Sequence, residues 1–218
     1  MEKSIENIWK EGFHKGDDLT APKIDNLHNQ KSIHIIDKFK RMFRINLISI
    51  VVGAFVFLIL SWFLHIPVMG IMFFVALLAS VFINKRLLNE LTRIDRGQNS
   101  YQYLKDFNQW IKKQIAINKR ISRFLYPIFF ISFILGFWFN DAEGVYLGER
   151  IVREILNGFP NTFLVFGVPL IGIIIAVLII AALAWYGDRI YLWDLNVIYG
   201  RILRKLDELL TDIESLRS

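Results

Sequence analysis

The chain alternates between long apolar stretches and charged stretches, and its longest stretch without a formal charge lies early. This stretch covers residues 45–84, and His65 and Pro67 interrupt it near its middle. A helix needs roughly 20 apolar residues to cross the hydrocarbon core of a bilayer, so this stretch suffices for two crossings. It predicts two antiparallel transmembrane helices, at about 45–65 and 67–84, joined by a tight turn.

Two further charge-free runs predict a third and a fourth span. Residues 124–140 are just long enough to cross, and residues 155–187 are longer than needed, so we expect the fourth helix at about 162–187. Each run is continuously apolar, without the alternation that strands of a membrane barrel display, which favours helices. The predicted fold class is all-α: an integral membrane protein with four transmembrane helices packed as a bundle.

Basic residues are distributed unevenly between the segments that flank these spans. Residues 1–44 hold 9 Lys and Arg, residues 85–123 hold 10, residues 188–218 hold 5, and residues 141–154 hold only 2. Segments rich in Lys and Arg stay on the cytoplasmic side of a membrane. The pattern predicts a multi-pass membrane protein with both termini cytoplasmic.

Aromatic and basic residues near the predicted span ends are candidate membrane-interface anchors, because amphipathic rings and cations prefer the headgroup region. Beside an anionic inner leaflet, each cation contributes about 1 kcal/mol to membrane association. An anionic bilayer is therefore the expected partner of the excess basic charge, and nucleic acid is not expected. The predicted anchors are Trp62, Trp138, Trp185, Tyr186, Arg41, Arg44, Arg120 and Arg123.

The predicted organisation has three parts. Residues 1–44 form a cytoplasmic N-terminal helical arm, residues 45–187 form the transmembrane domain with a cytoplasmic helical hairpin at 85–123, and residues 188–218 form a cytoplasmic helix. The arm begins with one apolar helix face, since its first apolar residues recur at helical spacing. These residues are Ile5, Ile8, Trp9 and Phe13.

The C-terminal segment carries a regular heptad pattern, with apolar residues spaced alternately by four and three positions. Such a pattern is typical of a coiled-coil seam. Two interpretations stay open: the seam packs on the helix around 100–120 of the same chain, or it binds a protein partner or a second copy. The seam consists of Leu195, Tyr199, Ile202, Leu206, Leu209, Ile213 and Leu216.

The predicted spans lack an obvious chemical site. They contain no Asp, Glu, Lys or Arg, the chain has no cysteine, and neither a phosphate-binding glycine loop nor a zinc-protease motif occurs. We therefore expect neither an enzyme nor a cofactor or metal site. Asp188, Arg189 and Asp194 flank the inner end of the fourth span and are expected to pair there with each other or with Arg residues of the 85–123 hairpin.

Small residues and a proline predict how the spans pack. Gly53 and Gly172 each stand four residues from another small residue, Ser49 and Ala176 respectively, which can let two helix backbones approach closely. Pro169 falls inside the predicted fourth span. A proline inside a helix bends or loosens it, so Pro169 is a candidate helix hinge.

The N-terminal region resembles small bacterial inner-membrane proteins of unassigned function, some of which are grouped with anti-sigma-type regulators. The resemblance covers about the first 45 residues, through IENIWK at 5–10, NQKS at 29–32 and the basic helix up to Arg44. It implies regulation of a protein partner and carries no catalytic motif. A membrane-tethered anti-sigma factor has one span and a sizeable outer domain, whereas this chain has four predicted spans and a short outer loop.

Two functions follow from these features. The first is a non-enzymatic regulatory or scaffolding membrane protein that binds a protein partner through its cytoplasmic helices. The alternative is a subunit of an oligomeric channel or a small transporter, which the four spans and possible self-association would suit.

Overall fold

The computed structural model describes residues 5–94, 100–141 and 144–215, and the side chains of residues 5–32, Ser100, Ile213 and Ser215 lie outside this description. The described chain is helical apart from one short hairpin. Four of its helices are long and apolar enough to cross a membrane, which confirms the predicted number of spans. The helices are α1 Ile5–Phe63, α2 Pro67–Thr92, α3 Ser100–Trp138, α4 Leu147–Gly158 and α5 Leu170–Ser215.

The turn between α1 and α2 lies where the sequence predicts it. The backbone N–H of Ile66 donates to the carbonyl of Ser61 at 2.9 Å, and His65 adopts a left-handed conformation with φ 58°. Pro67 is the first residue of α2, where its missing N–H costs no helical hydrogen bond. The end of α1 and the start of α2 therefore form a compact reversal of the chain.

The fourth span begins later than predicted, because a β-hairpin occupies the expected first turns of the helix. The strands are β1 Leu164–Val165 and β2 Val168–Pro169, which pair antiparallel. Phe166 and Gly167 both have positive φ, at 51° and 78°, which suits the tight turn of a two-residue hairpin loop. The span itself starts at Leu170, so the predicted start at 162 is wrong.

Helix α4 is an element that the sequence analysis does not anticipate, in the loop between α3 and the hairpin. Its docking depends on a close contact, because the ring of Trp138 lies against Gly148, which is buried. A β-carbon at Gly148 would lie 2.5 Å from the Trp138 ring. Trp138 therefore supports α4 as well as standing at the end of α3.

The main hydrophobic core, here called the aromatic core, lies beyond the charge-free stretches and not among them. Helices α1, α2, α3 and α5 all contribute to it with the ends that carry most of the basic residues. Phe39 packs against Phe107 and Tyr199, with ring centroids 5.4 Å and 5.1 Å apart. The buried members are Ile36, Phe39, Phe43, Leu87, Leu88, Leu91, Tyr103, Leu104, Phe107, Trp110, Ile111, Tyr199, Ile202, Leu206 and Leu210.

The charge-free half of the molecule packs more sparsely. Phe73 of α2 stacks on Phe129 of α3 at 4.5 Å between ring centroids and contacts Phe57 of α1 at 5.1 Å. In contrast, only 6% of the most apolar 18-residue stretch of α5 is buried. Its apolar side chains mostly point away from the rest of the chain, as expected of a helix that faces lipid.

Close helix approach occurs at glycines other than those predicted. A β-carbon at Gly187 of α5 would lie 2.9 Å from the carbonyl oxygen of Ser122 and 3.0 Å from Cα of Arg123, both in α3. A β-carbon at Gly53 or Gly172 would meet nothing within 4 Å, so the predicted close contacts at those two residues are wrong. The close approach of α3 to α5 at Ser122 and Arg123 therefore depends on Gly187.

We predict opposite effects of alanine at Gly187 and at Gly53. Alanine improves helix propensity by about 1 kcal/mol over glycine, so Gly53→Ala should raise the melting temperature slightly. Gly187→Ala forces α3 and α5 apart and should destabilise the protein by about 1–3 kcal/mol. Thermal unfolding of the purified protein in detergent measures both changes, and an equal rise in both variants would contradict the proposed contact.

Candidate functional site at the junction of the spans and the aromatic core

The heptad seam of the C-terminal segment is occupied within the chain. Tyr199, Ile202 and Leu206 are buried in the aromatic core, and Leu195 and Leu209 pack against it. The described part of the seam therefore packs within the chain, as the first of the two interpretations expects. The position of Leu216 and the side chain of Ile213 lie outside the described part.

A pair of buried amides joins α2 to α3 at the end of the charge-free stretch. Nδ2 of Asn84 donates to Oδ1 of Asn118 at 2.9 Å, and Nδ2 of Asn118 donates to Oδ1 of Asn84 at 3.0 Å. Each amide also donates to its own helix, at the carbonyl of Ser80 or Gln114, both at 3.0 Å. Both amides thus use all their N–H donors, which makes this buried position tolerable for them.

A second set of polar contacts joins the helices around this level. Nδ2 of Asn46 in α1 donates to the hydroxyl of Tyr199 in α5 at 3.1 Å. The indole Nε1 of Trp110 in α3 donates to the carbonyl of Leu87 in α2 at 2.9 Å. Together with the Asn84–Asn118 pair, these contacts join α1 to α5 and α2 to α3 where the charge-free half meets the aromatic core.

Charged and phenolic groups join α3 to α5 at the same level. The guanidinium of Arg123 donates to Oδ2 of Asp188 at 2.9 Å, and Nζ of Lys119 lies 4.0 Å from the same oxygen. The Tyr126 hydroxyl donates to Oδ2 of Asp194 at 3.0 Å. Both aspartates therefore pair with groups of α3, and the basic partner expected for Asp188 is present.

The candidate hinge belongs at Pro127 and not at Pro169. Pro169 is in β2, directly before α5, so it cannot bend that helix. Pro127 lies inside α3, and since proline has no N–H, the carbonyl of Arg123 loses its usual helical donor. That turn of α3 is also the one that Gly187 approaches. A proline within the 124–140 run was the available sequence signal for this weak point.

The predicted anchors lie mostly on the surface. Trp62 and Trp185 are about 70% exposed, and Tyr186, Arg41, Arg44 and Arg120 are also exposed. Trp138 is half-buried because it covers Gly148, and Arg123 pairs with Asp188 while remaining exposed. An exposed position suits an interface anchor, and the anchoring role itself stays a prediction.

No chemical centre emerges from the described residues. Within them, no group of three or more histidine, aspartate or glutamate side chains is arranged to hold a metal ion. Comparison of the chain with known protein families, curated proteins and solved structures finds no match. The functional argument therefore depends on the geometry of the junction and on the surfaces around it.

A double-mutant cycle tests the amide pair at the junction. Asn84→Leu or Asn118→Leu alone leaves the partner amide buried without its hydrogen bonds, which should cost about 1–3 kcal/mol. Replacing both removes the polar groups together, so the double variant should be more stable than the sum of the single changes predicts. Thermal unfolding in detergent measures the cycle; strictly additive single effects would show that the two amides do not depend on each other.

Proposed function

We propose that this chain is a regulatory or scaffolding membrane protein, not an enzyme, that binds a protein partner on the cytoplasmic side. One observation carries the proposal: the four spanning helices continue unbroken into the aromatic core. A change in the packing of the spans is thereby linked to the packing of the core. Such a linkage suits a protein that transmits a change in packing from the spans to the core or that positions a partner protein. No described group suits catalysis.

The junction supports a regulatory role because it combines specific contacts with a weak point. The Asn84–Asn118 pair and the Arg123–Asp188 ion pair fix the helices relative to one another, while Pro127 loosens α3 one turn beyond Arg123. A helix that lacks one backbone hydrogen bond bends there more readily than elsewhere. Pro127 is thus the position at which the core and the spans would move relative to each other.

The partner surface is assigned to the N-terminal arm, since the heptad seam is used within the chain. Helix α1 begins at Ile5, and Ile36 is its first buried core residue among those whose side chains are described, so about nine helical turns precede it. The apolar face at Ile5, Ile8, Trp9 and Phe13 belongs to this arm. An anti-sigma-type role, with a sigma factor as the partner, is the narrowest form of this proposal.

The channel or transporter alternative ranks lower. Ser61 and Ser132 are buried polar residues within the spans, and each hydroxyl donates to a carbonyl of its own helix, at Leu58 and Ile128. Hydroxyls bonded in this way serve helix packing and do not mark a route for an ion. Flux through liposomes containing the purified protein would nevertheless restore this alternative.

The proposed topology places both termini on the cytoplasmic side of a bacterial inner membrane, because 24 of the 26 Lys and Arg residues then lie on that side. The chain has no cysteine, so single cysteines can be labelled without background. Asn161→Cys should react with a membrane-impermeant maleimide in intact spheroplasts, whereas Glu208→Cys should react only after permeabilisation. The reverse labelling pattern would show the inverted topology, in which the N-terminal arm does not lie in the cytoplasm.

Crosslinking in the native membrane tests the partner assignment. We expect the wild-type protein to crosslink to one recurring partner protein, and Ile5→Ser/Ile8→Ser to lose most of this adduct because two of the four apolar residues of the face are removed. Glu6→Ser/Lys10→Ser is the matched control on the same helix and should keep it. Recovery of the wild-type chain without any partner under several growth conditions would contradict the proposed function.

A further inference from the structure

A cavity of about 450 Å³ opens between α1 and α2 where the charge-free stretch ends on both helices. Its wall changes in character along its length. Apolar side chains of both helices form one part, while cationic and polar side chains form the other. The lining residues are Arg44, Leu47, Ile48, Val51, Val52, Val81, Lys85, Leu88, Asn89 and Thr92.

Two cations, Arg44 and Lys85, share this cavity. Arg44 and Lys85 are both exposed, and within the described residues neither forms an ion pair. The nearest acidic residue along α2, Glu90, is engaged with Lys113 at 2.7 Å. Two like charges on the wall of one cavity repel each other, so an anion placed between them would be favoured.

The position of the cavity matches the boundary between headgroups and acyl chains. Arg44 and Lys85 are the first charged residues on either side of the 40-residue charge-free stretch, so both stand where hydrocarbon gives way to headgroups. The apolar wall runs from there toward the middle of the spans, from Leu47 to Val52 on α1. A cationic end at headgroup level above an apolar wall is the arrangement that suits a lipid with a negative headgroup.

We propose that this cavity is a binding site for one anionic phospholipid. The phosphate lies between the Arg44 guanidinium and the Lys85 ammonium, and the exposed Asn89 amide offers hydrogen bonds to the rest of the headgroup. One acyl chain lies along Ile48, Val52 and the other apolar side chains of the wall. The proposal requires that the spans cross a bilayer, and it is independent of the partner proposed for the N-terminal arm.

Native mass spectrometry of the full-length protein in detergent tests the site, with phosphatidylglycerol and phosphatidylcholine of identical acyl chains as probes. We expect a tightly bound 1:1 adduct of phosphatidylglycerol in preference to phosphatidylcholine. Arg44→Gln/Lys85→Gln should weaken phosphatidylglycerol binding by roughly thirtyfold, from the loss of two cation contacts, and should leave phosphatidylcholine binding nearly unchanged. The single variant Lys85→Gln should lose about fivefold and serves if the double variant does not fold.

Two further variants separate the site from general charge effects. Arg120→Gln/Arg189→Gln removes the same charge from exposed residues of α3 and α5. These residues lie at a depth similar to that of the cavity, because their neighbours Asn118 and Asp188 take part in the junction contacts. This control should keep the phosphatidylglycerol preference. Val52→Trp retains both cations but fills the apolar wall at a half-exposed position, and it should weaken binding of both lipids.

The outcomes decide between a built site and nonspecific attraction. Loss of the phosphatidylglycerol preference in Arg44→Gln/Lys85→Gln, with the preference retained in the α3/α5 control, supports the proposal. An equal loss in both double variants, or no loss in either, overturns it. Equal binding of the two lipids by the wild-type protein would also overturn it, because the site would then recognise acyl chains alone.

Discussion

The packing around Phe39 is the interaction on which the arrangement of the helices depends most. Its ring lies within 6 Å of the rings of Phe43, Phe107, Trp110 and Tyr199, so a single side chain of α1 contacts both α3 and α5. In water, burial of such rings is strongly favourable. Between helices in lipid this driving force is absent, because acyl chains are as apolar as leucine. The aromatic core therefore supplies cohesion that the spans lack.

The polar contacts of the junction add what the aromatic core cannot supply. Burial of rings is not directional, and a helix could slide by a turn while keeping much of its apolar contact. The reciprocal bonds of Asn84 and Asn118 exist only in one register of α2 on α3, and the bond from Asn46 to Tyr199 does the same for α1 and α5. A slip would leave buried amides without partners, which is costly. The aromatic core thus provides the cohesion between the helices, and the polar contacts of the adjacent junction fix their register.

The sequence was sufficient for features set by run length and periodicity. The uncharged length of 45–84 required two crossings, and the heptad spacing that includes Tyr199 and Leu206 correctly marked buried positions. Periodicity identifies an apolar face, but it does not say which surface covers that face. The choice between packing within one chain and association therefore needed the contacts of Leu206 with the core.

Features that depend on tertiary approach could not be predicted in the same way. Residues 162–169 are as apolar as a span, but the pairing of β1 with β2 and the positive φ of Phe166 and Gly167 make them a hairpin and not a helix. Gly53 lies within an apolar run and Gly187 at the end of one, beside Asp188, and neither sequence context shows whether another helix crosses there. They differ because α3 happens to cross Gly187, and which helices cross at which residue is a property of the packed molecule.

The proposed lipid cavity lies next to the aromatic core along two helices. Arg44 directly follows the core residue Phe43 on α1, and Lys85 stands two residues before Leu87 on α2, so a ligand between the cations bears on the core within one helical turn. A phospholipid wedged there would set the spacing of α1 and α2, to which Phe43 and Leu87 must conform. Lipid composition could thus alter the core without any contact at the heptad seam. A partner at the N-terminal arm binds the same helix, α1. If its binding changes the affinity for the lipid, lipid binding changes the affinity for the partner by the same factor.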